Sequence, residues 1–215
     1  MIPRYTHPEM GRIWSDQRRY ETWLLVETAA AEAMAAAGIV PPDAARDIRE
    51  RGAFDIARID EIEQTTQHDV IAFTTAVAEN VGPSARWIHF GLTSSDVIDT
   101  AQALQMREAC DVILARSRGS SATPSATARS SIDGTPMIGR THGVHAEPMT
   151  FGLKLALWFA EVGRDASDRV GRAGERSASA SCPARSAPSR TVPPAIEADV
   201  CRRLGLERRR RSRRR

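Results

Sequence analysis

The sequence is poor in several residues that would otherwise fix its class. It has three cysteines, Cys110, Cys182 and Cys201. They are odd in number, widely spaced and outside any pairing motif, which argues against a disulfide framework or a cysteine-based zinc module. Aromatic residues make up 5% of the chain, although a hydrophobic fraction of 41% is enough for a core. No apolar run approaches the roughly 18–20 residues of a membrane span. The opening residues, Met1 to Pro8, lack the basic-then-apolar form of a signal peptide. A soluble, cytoplasmic protein is expected. Lysine is almost absent: Lys154 stands alone among 30 basic residues, which suggests a GC-rich coding sequence.

The net charge of +3 misleads. Residues 208–215, RRRRSRRR, carry seven positive charges, and removing those seven from +3 leaves −4 on the rest of the chain. The body is mildly acidic and only the tail is basic. At 215 residues the chain can hold one large domain or two small ones.

What is present is mostly helical signal. Ser15-Asp16 is a good cap pair for a helix running through Tyr20, Trp23, Leu24, Ala31 and Met34 to Gly38. Pro41-Pro42-Asp43 starts a short helix that Gly52 ends. A third helix is predicted over 59–81, with a polar patch, Thr65 to Asp69, inside it. Gly82-Pro83 breaks that helix, and Trp87 to Leu92 reads as a tight apolar turn with one histidine. Thr93-Ser94-Ser95-Asp96 opens another helix. These four residues are an excellent N-cap, and equally hydroxyls and free N–H groups suited to an anion; both readings can hold together. Residues 116–134 and 164–191 lose periodicity and read as low-complexity linkers, before an amphipathic segment from Ile196 to Leu206. No convincing alternating strand appears, so the expected fold is all-α.

The chemistry gathers in Arg140-Thr141-His142-Gly143-Val144-His145-Ala146-Glu147-Pro148. Gly143 and Pro148 keep it from being a plain helix. Phe151, Leu155, Trp158 and Val162 then follow at helical spacing. The expectation is a rigid polar loop feeding a buried helix, a way for a scaffold to present reactive groups. A metal site at His142 and His145 is weakly indicated, because their i, i+3 spacing crosses a glycine with no third ligand nearby.

Four segments together resemble the adenylosuccinate lyase family of the fumarase/aspartase superfamily. They are Arg4-Tyr5, Gln67 to Phe73, Ile88 to Thr100, and Gly139 to Pro148 ending in His-Ala-Glu-Pro. The resemblance covers residues 1–115 and 135–163, and more weakly 193–207. It implies a fumarase/aspartase-like fold in which an N-terminal helical domain (1–110) is followed by the start of a long-helix bundle domain (111–207), with 208–215 as tail. It also implies β-elimination of fumarate from adenylosuccinate, giving AMP, and from the succinylated carboxamide ribotide of purine biosynthesis. A homotetramer is implied, with no cofactor and no metal. By the same resemblance His142 is the general acid, and His68 orients the substrate and assists it, with Gln67 and Asp69 lining the pocket. Thr93 and Ser94 donate to the succinyl carboxylate. Arg4 and Tyr5 contact the nucleotide phosphate and His89 lies near it, while His145 and Glu147 shape the loop.

The family's base is a serine on a loop of pattern SSxMPxKxNP, found well after the histidine motif. Nothing in this sequence matches it there; Gly119 to Pro124 is a coincidental look-alike on the wrong side of His142. The expectation is a truncated, frame-disrupted member whose 215 residues alone have little or no lyase activity. The rival expectation is a degenerate helical fragment that binds nucleic acid through its arginine tail. Interleaved aromatics are missing from that arm and the body is acidic, so nucleic acid is not the expected partner.

Overall fold

Capping chemistry sets where most helices begin and end. The computed structural model describes residues 2–131, 134–164 and 193–206. After a 3-10 turn at Pro3–Tyr5 come α1 (Pro8–Ile13), α2 (Asp16–Ala36), α3 (Pro42–Arg51), α4 (Ile56–Thr66) and α5 (Asp69–Val81). A second 3-10 turn, Gly82–Trp87, leads to α6 (Ser94–Ser131), then β1 (Pro136–Thr141), β2 (Val144–Thr150), α7 (Phe151–Arg164) and α8 (Pro194–Arg203).

Ser15 Oγ accepts the Arg18 N–H at 3.2 Å and starts α2. The helix stops where Gly38 takes φ +72°, a conformation that costs glycine nothing. The Gly38 N–H then bonds Ala35 O at 3.0 Å and the Ile39 N–H bonds Met34 O at 2.9 Å, the paired bonds of a Schellman stop. Pro42 opens α3, and the Gly52 N–H closes it onto Ile48 O at 2.9 Å.

The chain divides into two compact units, Met1–Ala109 with Glu175–Arg215, and Cys110–Gly174. The first is a helical bundle around α2. Its few aromatics are concentrated: Tyr20 stacks on Phe73 at 5.6 Å, and Trp23 meets the same ring edge-on at 5.5 Å. Phe54 closes the cluster at 6.0 Å from Phe73. Val26, Ala30, Val77, Val97 and Ala101 continue the buried core. Residues 193–206, grouped by the sequence with 111–207, pack instead into this first core through Ile196, Val200, Cys201 and Leu204. Arg107 donates to the Leu204 and Gly205 carbonyls at 3.1 and 2.7 Å, holding the end of α8.

The fold is all-α in its main architecture, as expected, with three departures. The helix predicted over 59–81 is two helices, broken at Gln67-His68. Residues 116–131, read as linker, continue α6, although serine, Gly119 and Pro124 are poor helix formers; extending a helix already nucleated upstream costs less than starting one. The expected loop at 140–148 is a β-hairpin in the second unit. The rest of the 164–191 stretch after Arg164 and the tail 208–215 lie outside the described residues. Among the described residues no helix is long and apolar enough to cross a membrane.

Candidate active site

Three non-glycine residues have positive φ among the described residues: Gln67 (50°), His89 (60°) and His142 (52°). All three lie in the motifs singled out above. Left-handed backbone costs an ordinary residue roughly 1–2 kcal/mol. It persists where the surroundings hold it, often at functional sites.

Gln67 ends α4. Its N–H bonds Glu63 O at 2.8 Å and its side-chain amide bonds Gln64 O at 2.9 Å, so the helix end is tied off by an amide where glycine is usual. The turn delivers His68 in extended conformation as the N-cap of α5. His68 Nδ1 accepts the Ile71 N–H at 3.4 Å, so the neutral ring carries its proton on Nε2, 3.5 Å from Ser94 Oγ. Asp69 Oδ1, also 3.4 Å from Nδ1, asks for the opposite arrangement. In the neutral ring the cap prevails, because Asp69 Oδ1 already accepts the Val70 N–H at 2.7 Å.

Thr93 and Asp96 form a reciprocal cap at the start of α6. The Thr93 N–H and hydroxyl both donate to Asp96 Oδ2, at 2.9 and 3.1 Å, and the Asp96 N–H returns to Thr93 O at 3.0 Å. The capping reading of TSSD is thus realised by Asp96, whose carboxylate holds the Thr93 N–H and hydroxyl, while Ser94 is the hydroxyl that meets His68. His89 is tied to a residue that sequence reasoning missed. Glu27 of α2 is 3% exposed. Its Oε1 lies 2.6 Å from His89 Nδ1, and its Oε2 accepts the His89 backbone N–H at 2.9 Å. Burial pushes the His89 ring down, but the Glu27 hydrogen bond and the charges of Glu27 and Asp96 outweigh it, so its pKa is raised. The signal for Glu27 was a lone carboxylate on the buried stripe of Tyr20 and Trp23.

Arg4 and Tyr5 are exposed, with the guanidinium 4.7 Å over the Tyr5 ring. In the first unit, therefore, His68 and Ser94 meet, flanked by Gln67, Asp69 and Thr93, and His89 is fixed to Glu27.

In the second unit, β1 and β2 pair antiparallel, with Thr141 opposite Val144. His142 and Gly143 (φ +78°) form the two-residue turn, both with the positive φ that a type I′ hairpin requires. The register shifts between Ile138 and Arg140, so Ala146 and Glu147 together oppose Gly139. A Cβ at Gly139 would stand 3.1 Å from Glu147 O. His142 is thereby held exposed at the hairpin tip. His145 Nε2 faces Arg140 Nη2 at 3.4 Å, which commits that nitrogen as an acceptor. No cluster of three or more possible metal ligands occurs among the described residues. The helix expected to be buried after this motif is present as α7, but Leu153, Leu157, Trp158 and Phe159 are exposed. The spacing encodes an apolar face without specifying what covers it.

The family model described as Lyase matches residues 4–205. The chain belongs to this lyase family. Over 96% of its length it is 43% identical to adenylosuccinate lyase of Bacillus subtilis, covering 48% of that protein. The corresponding figures for adenylosuccinate lyase of Synechocystis sp. are 46% identity over 96% of this chain and 48% of the relative. The fold is similar to a crystal structure of fumarate lyase from Mesorhizobium sp. BNC1, with a TM-score of 0.79 and 28% identity. That match covers 93% of this chain and 48% of the other. The lyase-family chain thus spans about half the length of the curated relatives it matches, and the matched region runs through 116–134 and 164–191.

Proposed function

We propose that this chain supplies the N-terminal part of an adenylosuccinate lyase site, which eliminates fumarate from adenylosuccinate and from the succinylated carboxamide ribotide. The observation that carries the reading is the contact of His68 Nε2 with Ser94 Oγ at 3.5 Å. It joins two motifs 26 residues apart, and their chemistry suits a dicarboxylate.

β-Elimination needs a base at Cβ, donors for the charge that builds on the neighbouring carboxylate, and an acid for the departing nitrogen. Ser94 supplies a hydroxyl donor, and Thr93 joins it when substrate displaces the hydroxyl from Asp96. His68, with its proton on Nε2, orients the succinyl group and supports the acid. His142 at the hairpin tip is the acid that protonates the leaving nitrogen. Arg4 is a guanidinium fork for the nucleotide phosphate, with Tyr5 beside it. The base comes from residues these 215 do not include, so the chain by itself is inactive. The exposed apolar face of α7 fits the homotetramer of the family, in which central helices pack between subunits.

The test mixes the chain with a separately expressed C-terminal half of the Bacillus subtilis relative and follows fumarate release from adenylosuccinate. Turnover by the mixture and by neither part alone is expected. Turnover by the chain alone, or none from a mixture shown to associate, overturns the proposal.

A further inference from the structure

We infer that Glu27 is a positioning residue for His89: a single buried carboxylate fixes the imidazole and the main chain of His89 together, so that Nε2–H is presented to an anionic phosphate group. The inference rests on the nucleotide-site reading above and adds to it a residue from a different helix.

Three observations carry it. Both Glu27 oxygens go to one residue, Oε1 to the ring at 2.6 Å and Oε2 to the backbone N–H at 2.9 Å, across 62 residues of sequence. A carboxylate only accepts, so Nδ1 bears a proton in either state of the ring, and the second proton of the imidazolium, the form the Glu27 carboxylate favours, sits on Nε2, where it can meet an anion. Second, His89 holds φ +60°, followed by Gly91 at +70°. Such a backbone relaxes unless something holds it, and the Oε2 bond is a direct hold. Third, the Glu27 side chain is 2% exposed and that of His89 is 26% exposed. A carboxylate buried that deeply needs a partner. The imidazolium supplies it from the inside while keeping an edge at the surface. The ionisable groups that act on the ring are Glu27 from α2 and Asp96 from α6, and Asp96 Oδ2 is occupied by Thr93.

The test is nitrogen-15 NMR of histidine-labelled full chain, with His89→Asn to assign the His89 signals. Sulfate serves as a non-titrating phosphate probe against chloride at equal ionic strength. In the unmodified chain Nδ1 stays protonated across neutral pH, and the Nε2 signal moves on adding sulfate. Glu27→Gln has the same shape without the charge. It weakens sulfate binding about tenfold at pH 7, the difference between a charge-assisted and a neutral hydrogen bond on the ring, and moves the pH dependence of that binding to lower pH. Unchanged affinity and pH dependence in Glu27→Gln overturn the inference. So does an Nδ1 without its proton in the unmodified chain, and that measurement decides alone if Glu27→Gln fails to fold. No readout uses turnover, so failure of the lyase reading shows only in the fumarate assay.

Discussion

His68 has two separable duties, and substitutions can pull them apart. Its Nδ1 caps α5 and its Nε2 faces Ser94. Alanine removes both functions. Loss of an N-cap costs about 0.5–2 kcal/mol. Here the cap bond is long, 3.4 Å, and the side chain is 41% exposed, which places the cost near the low end, at about 0.5–1 kcal/mol. For a chain of this size that lowers Tm by roughly 1–4 °C. Asparagine is among the best N-caps but has no imidazole, so His68→Asn keeps the stability or gains slightly. In the complementation mixture both variants lose turnover by about 10²–10⁴, the range typical of a lost acid–base group. Thermal melts of the chain and fumarate release from the mixture read the two duties independently. If His68→Asn melts as low as His68→Ala, the capping account is wrong. If His68→Asn turns over normally, the ring has no role in the reaction.

Three further predictions follow from burial and charge. The raised His89 pKa means its contribution to stability is fully present below the unfolded value, about 6.5, and is lost as pH rises through the higher folded value. Urea midpoints of the chain and His89→Asn from pH 5.5 to 9 should therefore differ most in acid and converge in base; a constant gap would contradict the ion pair. Phe73 is fully buried among Tyr20, Trp23 and Phe54, so Phe73→Ala should cost about 3–5 kcal/mol by urea denaturation. A loss below 1 kcal/mol would mean the cluster is not the core. On α7, Leu157→Ser with Trp158→Ser should leave the chain's own stability within about 0.5 kcal/mol, because both side chains are exposed. The same pair should reduce the mass of the complemented assembly in sedimentation, and an unchanged mass would refute the interface role of α7.

The helix plan was legible wherever the ends carry common capping residues. Ser15, Gly38, Pro42 and Gly52 announce α2 and α3 because their roles are local. The break at 67–68 was hidden because its left-handed residue is Gln67 and its cap is His68, where glycine and serine or asparagine would have signalled it. The hairpin was hidden for related reasons. His142 occupies a turn position that favours asparagine, and the bulge at Gly139 resets the alternation that marks a strand. Site residues were legible as clustered polar motifs, but their partners were not. Glu27 lies in an alanine-rich helix, and only tertiary packing brings it to His89.

In the proposed reaction the His142 ring acts on the leaving nitrogen from a left-handed turn that holds it exposed. Asparagine suits the same left-handed turn position, so His142→Asn preserves the hairpin and removes only the imidazole. The decisive measurement is single-turnover fumarate release by the complemented mixture carrying His142→Asn, with substrate binding measured alongside. Binding should be unchanged and the rate lower by about 10²–10⁴; a rate within about twofold of the unmodified mixture would contradict a role for His142 as the acid.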